Sequence, residues 1–456
     1  MLFIFIKGVL KSRDVKTSDD YLVAGRNVGW LLLFTTLGAT IIGGGYSVGA
    51  VGRTYEWGLL MVLVSMGGYL HFIFSGLVVA PQFRKAELYT VAGYFKHRFD
   101  DKSRVIALIL SLIFSVFIVA AQIAAIGTVL AALLGENLSN PNLLTWAIII
   151  GGLVVIIYST AGGLLAVIHT DVYQFVVLFV GFILTLGFIL PDLLGNWTAI
   201  RNTLPKEFFH IDGGKGIVFL ITTFLAFLLG ETFAPGYATR YCIGKSIKET
   251  KLGIAGVGIV LSFTFPFMIF FIALYAKYHF PGIDPQFALS KVIYNLHNPV
   301  IGGVMIAALL SAVMSSADSG LNSATTIFVK DLFEDQLKLS SWNDQKRLKV
   351  ARYLTVLLGS VSTIVAVIWP NIIDLLLFTY HIWAPGIILP IVIGALSKDR
   401  SNQLNTTVSI TMVISVIAAL LYRGSTYAET LDPAVFGVGV SIVCFLLIRT
   451  FFRFLR

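Results

Sequence analysis

Charged residues are scarce in this chain. Asp, Glu, Lys and Arg make up 12% of its 456 residues, whereas soluble domains carry roughly 25%. Apolar residues make up 57%, and the mean hydropathy is +0.87. This composition excludes an ordinary soluble domain and predicts a protein embedded in a lipid bilayer. Because lipid leaves backbone groups no water to bond with, the membrane part is predicted to be all-α.

Residues with reactive or metal-binding side chains are also few. The two cysteines, Cys242 and Cys444, offer neither a disulfide framework nor a metal spacing. The seven histidines form no metal or nucleophile pattern, and the chain has no Gly-rich phosphate loop with the Walker lysine. We therefore expect no enzyme activity, no organic cofactor and no ATP-driven step.

Apolar segments are what the chain does have. A helical span needs about 20 mostly apolar residues, and about thirteen segments qualify if the short one at residues 1–10 is included. That first segment, MLFIFIKGVL, is interpreted as the end of a helix whose beginning is missing, or alternatively as an interfacial stub. The complete spans are predicted at 28–52, 55–80, 105–135, 143–160, 164–190, 216–236, 252–277, 299–329, 353–370, 372–396, 404–423 and 432–452.

The net charge of +9 is concentrated in loops on one side of these spans. Basic residues cluster within 84–104, 240–251, 330–352, 398–400 and 449–456. The positive-inside rule makes this side the cytoplasm, which predicts a multi-pass cell-membrane protein with a cytoplasmic C-terminus. The positive charge thus indicates how the protein is oriented in the membrane, and we expect no nucleic-acid partner.

Glycine and proline interrupt two of the spans. The first complete span contains GGG at 43–45, and the sixth contains GETFAPG at 230–236. Such breaks either allow tight helix packing or, at matching positions of two halves, mark the binding site of a secondary transporter. Each interrupted span opens a run of five, and because five is odd the second run is inverted relative to the first. The predicted division is a truncated helix and linker (1–27), a first repeat (28–190), an extracellular loop (191–215), an inverted repeat (216–396) and two further helices (397–456).

The eighth complete span carries an unusual polar stretch, SAVMSSADSGLNS, at 311–323. Helical spacing puts Ala312, Ser315, Ser316, Ser319 and Ser323 on one face, with Asp318 beside it. A single serine there often only bonds a carbonyl of its own helix. A whole face of hydroxyls beside a buried carboxylate instead favours a hard cation, since such ions take several oxygen ligands.

A second polar stretch, YSTAGGLLAVIHTDVYQ at 158–174, joins the fourth and fifth spans. Asp171 could cap a helix, face a cytoplasmic cavity, or reach the serine face and Asp318.

Four stretches together resemble the sodium:solute symporter family, in the family's order and over nearly the whole chain. They are YLVAGRNVGW (21–30), YSTAGGLLA with HTDVYQ (158–174), TRYCIGKS (239–246) and SAVMSSADSGLNSATTIFVKDLF (311–333). The resemblance implies the leucine-transporter-type fold, with two inverted repeats of five helices and broken first and sixth core helices. It also implies sodium as the coupling ion.

The resemblance further implies site residues. A sodium site would use the backbone carbonyls of Phe34, Leu37 and Ala312 and the hydroxyls of Ser315 and Ser316. A second cation or proton site would use Asp171, Asp318 and Ser319. The substrate site would draw on Thr40, Ile41, Glu56, Phe227, Gly230 and Glu231.

The implied function is a sodium-coupled symporter that imports a small organic solute by alternating access. A proton-coupled symporter of the same fold is the first alternative, because Asp171, Asp318 and Glu231 can titrate. A transporter-like membrane solute sensor is the second. The pocket residues match no single solute of the family, so the solute stays open.

Overall fold

Helices dominate the structure, a computed structural model that describes residues 17–134, 141–296, 299–338 and 342–454. In chain order the α-helices are α1 (Ser18–Val23), α2 (Trp30–Ile41), α3 (Ala50–Trp57), α4 (Leu60–Phe74), α5 (Ala80–Lys85), α6 (Val91–Arg98), α7 (Asp101–Leu134), α8 (Pro141–Gly195), α9 (Trp197–Thr203), α10 (Ile217–Glu231), α11 (Pro235–Tyr241), α12 (Ile247–His279), α13 (Ala288–Leu296), α14 (Pro299–Ile327), α15 (Asp344–Ile368), α16 (Ile372–Leu396), α17 (Asn402–Arg423) and α18 (Pro433–Phe454). Wider π-helical turns occupy Gly45–Gly49, Ser75–Val79 and Phe328–Gln336.

The membrane-spanning helices agree with the sequence pattern. Within the described ranges, ten helices are long and apolar enough to cross a bilayer, and two bent helix pairs bring the number to twelve. The twelve complete spans predicted from the sequence correspond to these. The short apolar segment at 1–10 lies outside the described residues.

The first bent pair is α2 with the segment Gly45–Trp57, which turn by 60° relative to each other. Glycines make the turn possible because the chain passes very close to α7: a Cβ atom at Gly44 would collide with the Ala125 side chain. The break frees backbone groups, and the side-chain oxygen of Gln122 accepts a hydrogen bond from the Gly44 N–H at 2.6 Å. A polar residue on the neighbouring helix thus provides the hydrogen bond that lipid cannot offer to a free backbone group.

The second bent pair is α10 with α11, at an angle of 51°. Phe233 takes a positive φ of 62° between them, a conformation that ends a right-handed helix. Pro235 then opens α11, where its missing N–H costs nothing. The indole nitrogen of Trp383 donates to the Thr232 carbonyl at 2.9 Å, which fastens the break to α16.

The long helix α8 contains both the fourth and the fifth predicted span. No separate loop divides α8 between Pro141 and Gly195, yet the Tyr158 hydroxyl donates to Thr170 Oγ1 at 3.0 Å. Twelve residues of straight helix cover about 18 Å, so the chain bends between these two residues. The two apolar parts, Asn142–Thr160 and Val167–Gly195, are each long enough to cross.

Corresponding helices of the two halves pack against each other, as two repeats related by a pseudo-two-fold axis would. The second helices, α4 and α12, are in extensive contact, and so are the third helices, α7 and α14. At Gly258 on α12, a Cβ atom would lie 2.9 Å from the Phe72 Cβ atom of α4. This close packing places the two breaks and the serine-rich α14 at the centre of the molecule.

Burial separates central from peripheral helices. In the most apolar window of the span Gly302–Gln336, 83% of residues are buried, against 11% in the window of Pro433–Phe452. Exposed side chains on the last helix are large and apolar, for example Leu447 and Phe451. The polar helix is therefore enclosed by protein, and the last helix faces lipid.

Candidate sodium and solute site

Ser316 lies at the contact between α14 and the broken end of α2. Its hydroxyl donates to the Thr40 carbonyl at 2.6 Å and lies 3.4 Å from the carbonyl oxygens of Ala39 and Ala312. One hydroxyl and three carbonyl oxygens from two helices therefore converge at one buried point. Such a set of neutral oxygens suits a hard monovalent cation.

The predicted carbonyls of Phe34 and Leu37 are not the α2 carbonyls that Ser316 contacts. Phe34 and Leu37 lie inside the regular part of that helix, which continues to Ile41, so their carbonyls belong to its hydrogen-bond ladder. The Phe34 ring packs edge-on against Phe175, with centroids 5.7 Å apart. The carbonyls that reach α14 belong to the last turn instead, because the glycines end the helix only after Ile41.

Ser315 is turned away from this point and towards Asp171 of α8. Its hydroxyl donates to Asp171 Oδ1 at 2.5 Å, and the Thr36 hydroxyl donates to the other carboxylate oxygen. The guanidinium of Arg240 lies 3.5 Å from that second oxygen, and both ionic side chains are fully buried. Asp171 therefore contacts Ser315 of the serine face, while Asp318, which the same predicted placement included, bonds Ser159 instead.

Arg240 fills the space of the predicted second cation site. Its Nη2 donates to Ser319 Oγ at 2.6 Å, its Nη1 to the Gly236 carbonyl at 2.9 Å, and its Nε to Thr36 Oγ1 at 3.1 Å. Asp171 and Ser319 are therefore brought together, but around a guanidinium that already supplies a positive charge.

Asp318, the third member of that predicted site, faces the other way. It accepts a hydrogen bond from Ser159 of α8 through Oδ1. Its Oδ2 has no hydrogen-bond partner among the described residues. The buried carboxylate is thus separate from the Asp171–Arg240 pair.

A small central cavity lies between the two helix breaks. It offers about 40 Å³ to the centres of water-sized molecules, which is room for a few waters. Of the predicted substrate residues, Thr40, Ile41 and Glu231 line it. A larger solute requires the surrounding helices to separate, as alternating access entails.

Glu231 is the last residue of α10 and its side chain is 3% exposed. The Tyr380 hydroxyl of α16 donates a hydrogen bond to the Glu231 carboxylate, and the Tyr237 hydroxyl of α11 also lies against it. The carboxylate therefore sits at the C-terminal end of a half-helix and not at the N-terminal end that would favour an anion.

Three other predicted substrate residues do not line the cavity. Glu56 is exposed at a separate surface pocket, where Arg53 binds it at 2.9 Å. Phe227 stands behind the cavity wall, with its ring 6.0 Å from Tyr46 and 5.5 Å from Tyr380. Gly230 gives the Tyr380 ring room, since a Cβ atom there would collide with it.

Sequence reasoning assigned several residues that build this site no part in it, and it counted Arg240 among the basic residues of a loop. They are Thr36, Tyr46, Gln122, Tyr237, Arg240 and Tyr380. A detectable signal existed for two of them. Gln122 is a lone amide in a long apolar span, and Arg240 follows directly on the sixth-span break; an intramembrane polar residue is a functional candidate by default.

Two broken helices around a buried polar helix define a secondary transporter of the leucine-transporter-type fold. Solved structures show the same fold. This chain superposes on the substrate-bound outward-open state of a Na+-coupled sialic acid symporter with a TM-score of 0.81 and 23% sequence identity. The superposition covers 98% of this chain and 95% of the symporter chain. For the complex of MhsT with L-phenylalanine the TM-score is 0.54 and the sequence identity 13%, over 92% of this chain and 99% of the MhsT chain.

Sequence comparison identifies the family. The model of the sodium:solute symporter family matches residues 21–410. The high-affinity proline transporter PutP of Bacillus subtilis (strain 168) is 24% identical over 452 residues, covering 96% of this chain and 93% of the relative. The sodium/proline symporter of Staphylococcus aureus is 27% identical over 369 residues, covering 77% and 70%. The chain belongs to the sodium:solute symporter family and is a sodium-coupled symporter.

Proposed function

We propose that this symporter imports a small organic solute together with sodium, and that the sodium ion binds where α14 meets the broken end of α2. The observation that carries the proposal is the placement of the Ser316 hydroxyl against the carbonyls of Ala39, Thr40 and Ala312. The Ser315 hydroxyl, one position earlier on α14, donates to Asp171 in this structure and becomes a sodium ligand only if it turns away from that carboxylate.

Sodium at this point links the two repeats. Ala39 and Thr40 belong to the first repeat, and Ser316 belongs to the second. An ion bound by both repeats stabilises the arrangement in which they are in contact at that point. Release of the ion then allows the repeats to rock and exposes the solute to the opposite side.

The position of Arg240 supports one sodium ion per cycle. Its guanidinium already lies between Asp171 and Ser319, at hydrogen-bonding distance from Ser319. A second cation at the same place would meet like-charge repulsion in a low dielectric. In this proposal the second position is filled by a cation that belongs to the protein.

We place the repeats at 28–190 and 216–396, with 191–215 on the extracellular side and 397–456 as additional helices. The basic loops at 84–104 and 330–352 support a cytoplasmic face on their side of the bilayer. The C-terminus is then cytoplasmic. Two relatives are proline transporters, which makes a solute of proline's size the starting point for assays.

The proposal is tested by the melting temperature of the detergent-purified protein in sodium against potassium. A ligand held only by the folded state at 100 times its Kd adds about 2.7 kcal/mol of stability. We expect sodium to raise the melting temperature and Ser316→Ala to abolish that rise. Ser262→Ala is a matched control, because this buried hydroxyl bonds only the Gly258 carbonyl of its own helix, at 2.6 Å.

An equal rise in sodium and potassium, or a full sodium response in Ser316→Ala, contradicts the proposed site. Loss of the response in Ser262→Ala as well would show that the assay reports general damage to the fold.

A further inference from the structure

One carboxylate stands out on the wall of the central cavity. Among the described residues that line it, Glu231 is the only Asp, Glu, Lys, Arg or His. The side chain is 3% exposed, and its partners are the Tyr380 and Tyr237 hydroxyls. No described basic residue forms an ion pair with Glu231.

The buried basic residue nearest to Glu231 in sequence cannot serve as its counter-charge. Arg240 is committed to Asp171, Ser319 and the Gly236 carbonyl. A charge enclosed by protein is costly unless a counter-charge or several donors satisfy it. When Glu231 is ionised, its counter-charge therefore has to come from what enters the cavity.

The remaining wall suits the same kind of partner. The aromatic side chains of Tyr46, Phe114 and Tyr237 line the cavity, and aromatic faces attract ammonium groups within about 6 Å. Glu231 also ends α10, so the negative end of that half-helix points to the same place. Carboxylate, helix end and rings all favour positive charge.

The polar remainder of the wall is neutral. Thr40, Ser115, Gln122 and Ser319 supply hydroxyls and one amide. Such groups can bond a hydroxyl or a carboxylate of a solute but carry no charge to attract an anion. A solute that is negative overall would meet the Glu231 carboxylate without compensation.

From these observations we infer that the cavity selects a small solute with a positively charged nitrogen, bound against the Glu231 carboxylate and the rings beside it. The inference rests on the proposed function in that the solute enters this central cavity. Primary, secondary and quaternary ammonium groups fit the chemistry, and sugars or solutes with only negative charge do not.

Matched pairs of probes test the charge itself. Choline and 3,3-dimethyl-1-butanol have the same shape, as do proline and cyclopentanecarboxylate, but only the first of each pair has the charged nitrogen. In sodium, we expect the member with the charged nitrogen to raise the melting temperature and to bind in calorimetric titration, and its isostere without that nitrogen to do neither. Equal binding of the isostere, binding of sugars alone, or failure of every ammonium probe overturns the inference.

Variants of Glu231 then test whether its carboxylate is the group that binds the charged nitrogen. Glu231→Gln keeps the size and the tyrosine hydrogen bonds but removes the charge, and we expect it to weaken ammonium binding by roughly 30-fold or more, the cost of breaking a buried charge pair. Glu231→Asp keeps the charge and is expected to retain measurable binding. Tight binding of the ammonium probe to Glu231→Gln overturns the assignment.

The sodium response in the absence of solute separates this inference from the proposed function. A Glu231→Gln protein that loses ammonium binding but still gains stability from sodium supports both. If wild-type protein shows the sodium response and the Ser316→Ala protein lacks it, yet no ammonium probe binds, the solute inference alone fails.

Discussion

Replacing Arg240 by Met tests the interpretation that its guanidinium is a built-in cation. Arg240 and Asp171 are both fully buried, with 3.5 Å between Nη2 and Oδ2. The Arg240→Met protein keeps the carboxylate but leaves it with only the hydroxyls of Thr36 and Ser315. Breaking a buried pair by removing one partner costs about 3–5 kcal/mol, because the other charge is left uncompensated.

The double variant Asp171→Asn/Arg240→Met measures the coupling. Once both charges are gone no uncompensated ion remains. The loss of unfolding free energy in the double variant should therefore be smaller than the sum of the losses in the two single variants, by about 2–3 kcal/mol. Equilibrium unfolding of the detergent-solubilised protein gives the free energies. Sodium titrations of Arg240→Met add a second readout, since a vacated position beside Asp171 should then take up an additional sodium ion.

Arg53→Met is the control. Arg53 also contacts two carboxylates, Glu56 at 2.9 Å and Asp374 at 3.1 Å, but these acids are 39% and 42% exposed. Solvent screening limits such pairs to about 0–1 kcal/mol. If Arg240→Met costs no more than Arg53→Met, or if the single effects simply add, the reasoning about the buried pair is refuted.

Two further changes test the break and the loop between α16 and α17. In Gly43→Ala the new Cβ would collide with the Ser316 side chain and lie 2.6 Å from Gln122 Oε1, so we expect about 1–3 kcal/mol of destabilisation and loss of the sodium-dependent rise in melting temperature. Hydrogen bonds from the Ser401 N–H and from Arg449 lower the pKa of Asp399. The ionised carboxylate therefore contributes stability above the ordinary Asp value of about 3.9, and this contribution is lost as pH falls through the lowered pKa. Asp399→Asn should reduce thermal stability at neutral pH, and the difference from wild type should vanish in strong acid.

Each of these changes has its own check. Gly187→Ala adds the same methyl group where no atom lies within 4 Å, so it should leave sodium binding intact. A sodium response in Gly43→Ala equal to wild type would show that the break tolerates a side chain. A stability difference for Asp399→Asn that persists unchanged at low pH would mean that the ionised carboxylate is not its source.

Local sequence was enough to predict the membrane-spanning helices and their two interruptions. Runs of apolar residues long enough to cross lipid leave little choice but helix. Glycines at 43–45 and the proline of GETFAPG disrupt those helices locally, and local effects can be read from local sequence. The spacing of Ser315, Ser316 and Ser319 likewise predicted that they share one face. In the structure Ser315 and Ser319 contact the Asp171–Arg240 pair, and Ser316 contacts carbonyls of α2.

Tertiary structure alone decided which groups meet across helices. The helix register at the break put Ala39 and Thr40 against Ser316, one turn beyond the predicted carbonyls. Packing sent Arg240 into the predicted second cation site, 69 positions along the chain from Asp171. It also left Glu56 at a separate surface pocket.

The physical reason is the same in these cases. Periodicity determines the face of its own helix that a residue occupies, but distances between helices depend on how every intervening helix packs and bends. A shift of one turn, about 5.4 Å, is small for the fold and larger than any ligand distance. Composition and spacing therefore indicated a cation site on α14, and only the packed structure showed which oxygens and which charge stand opposite it.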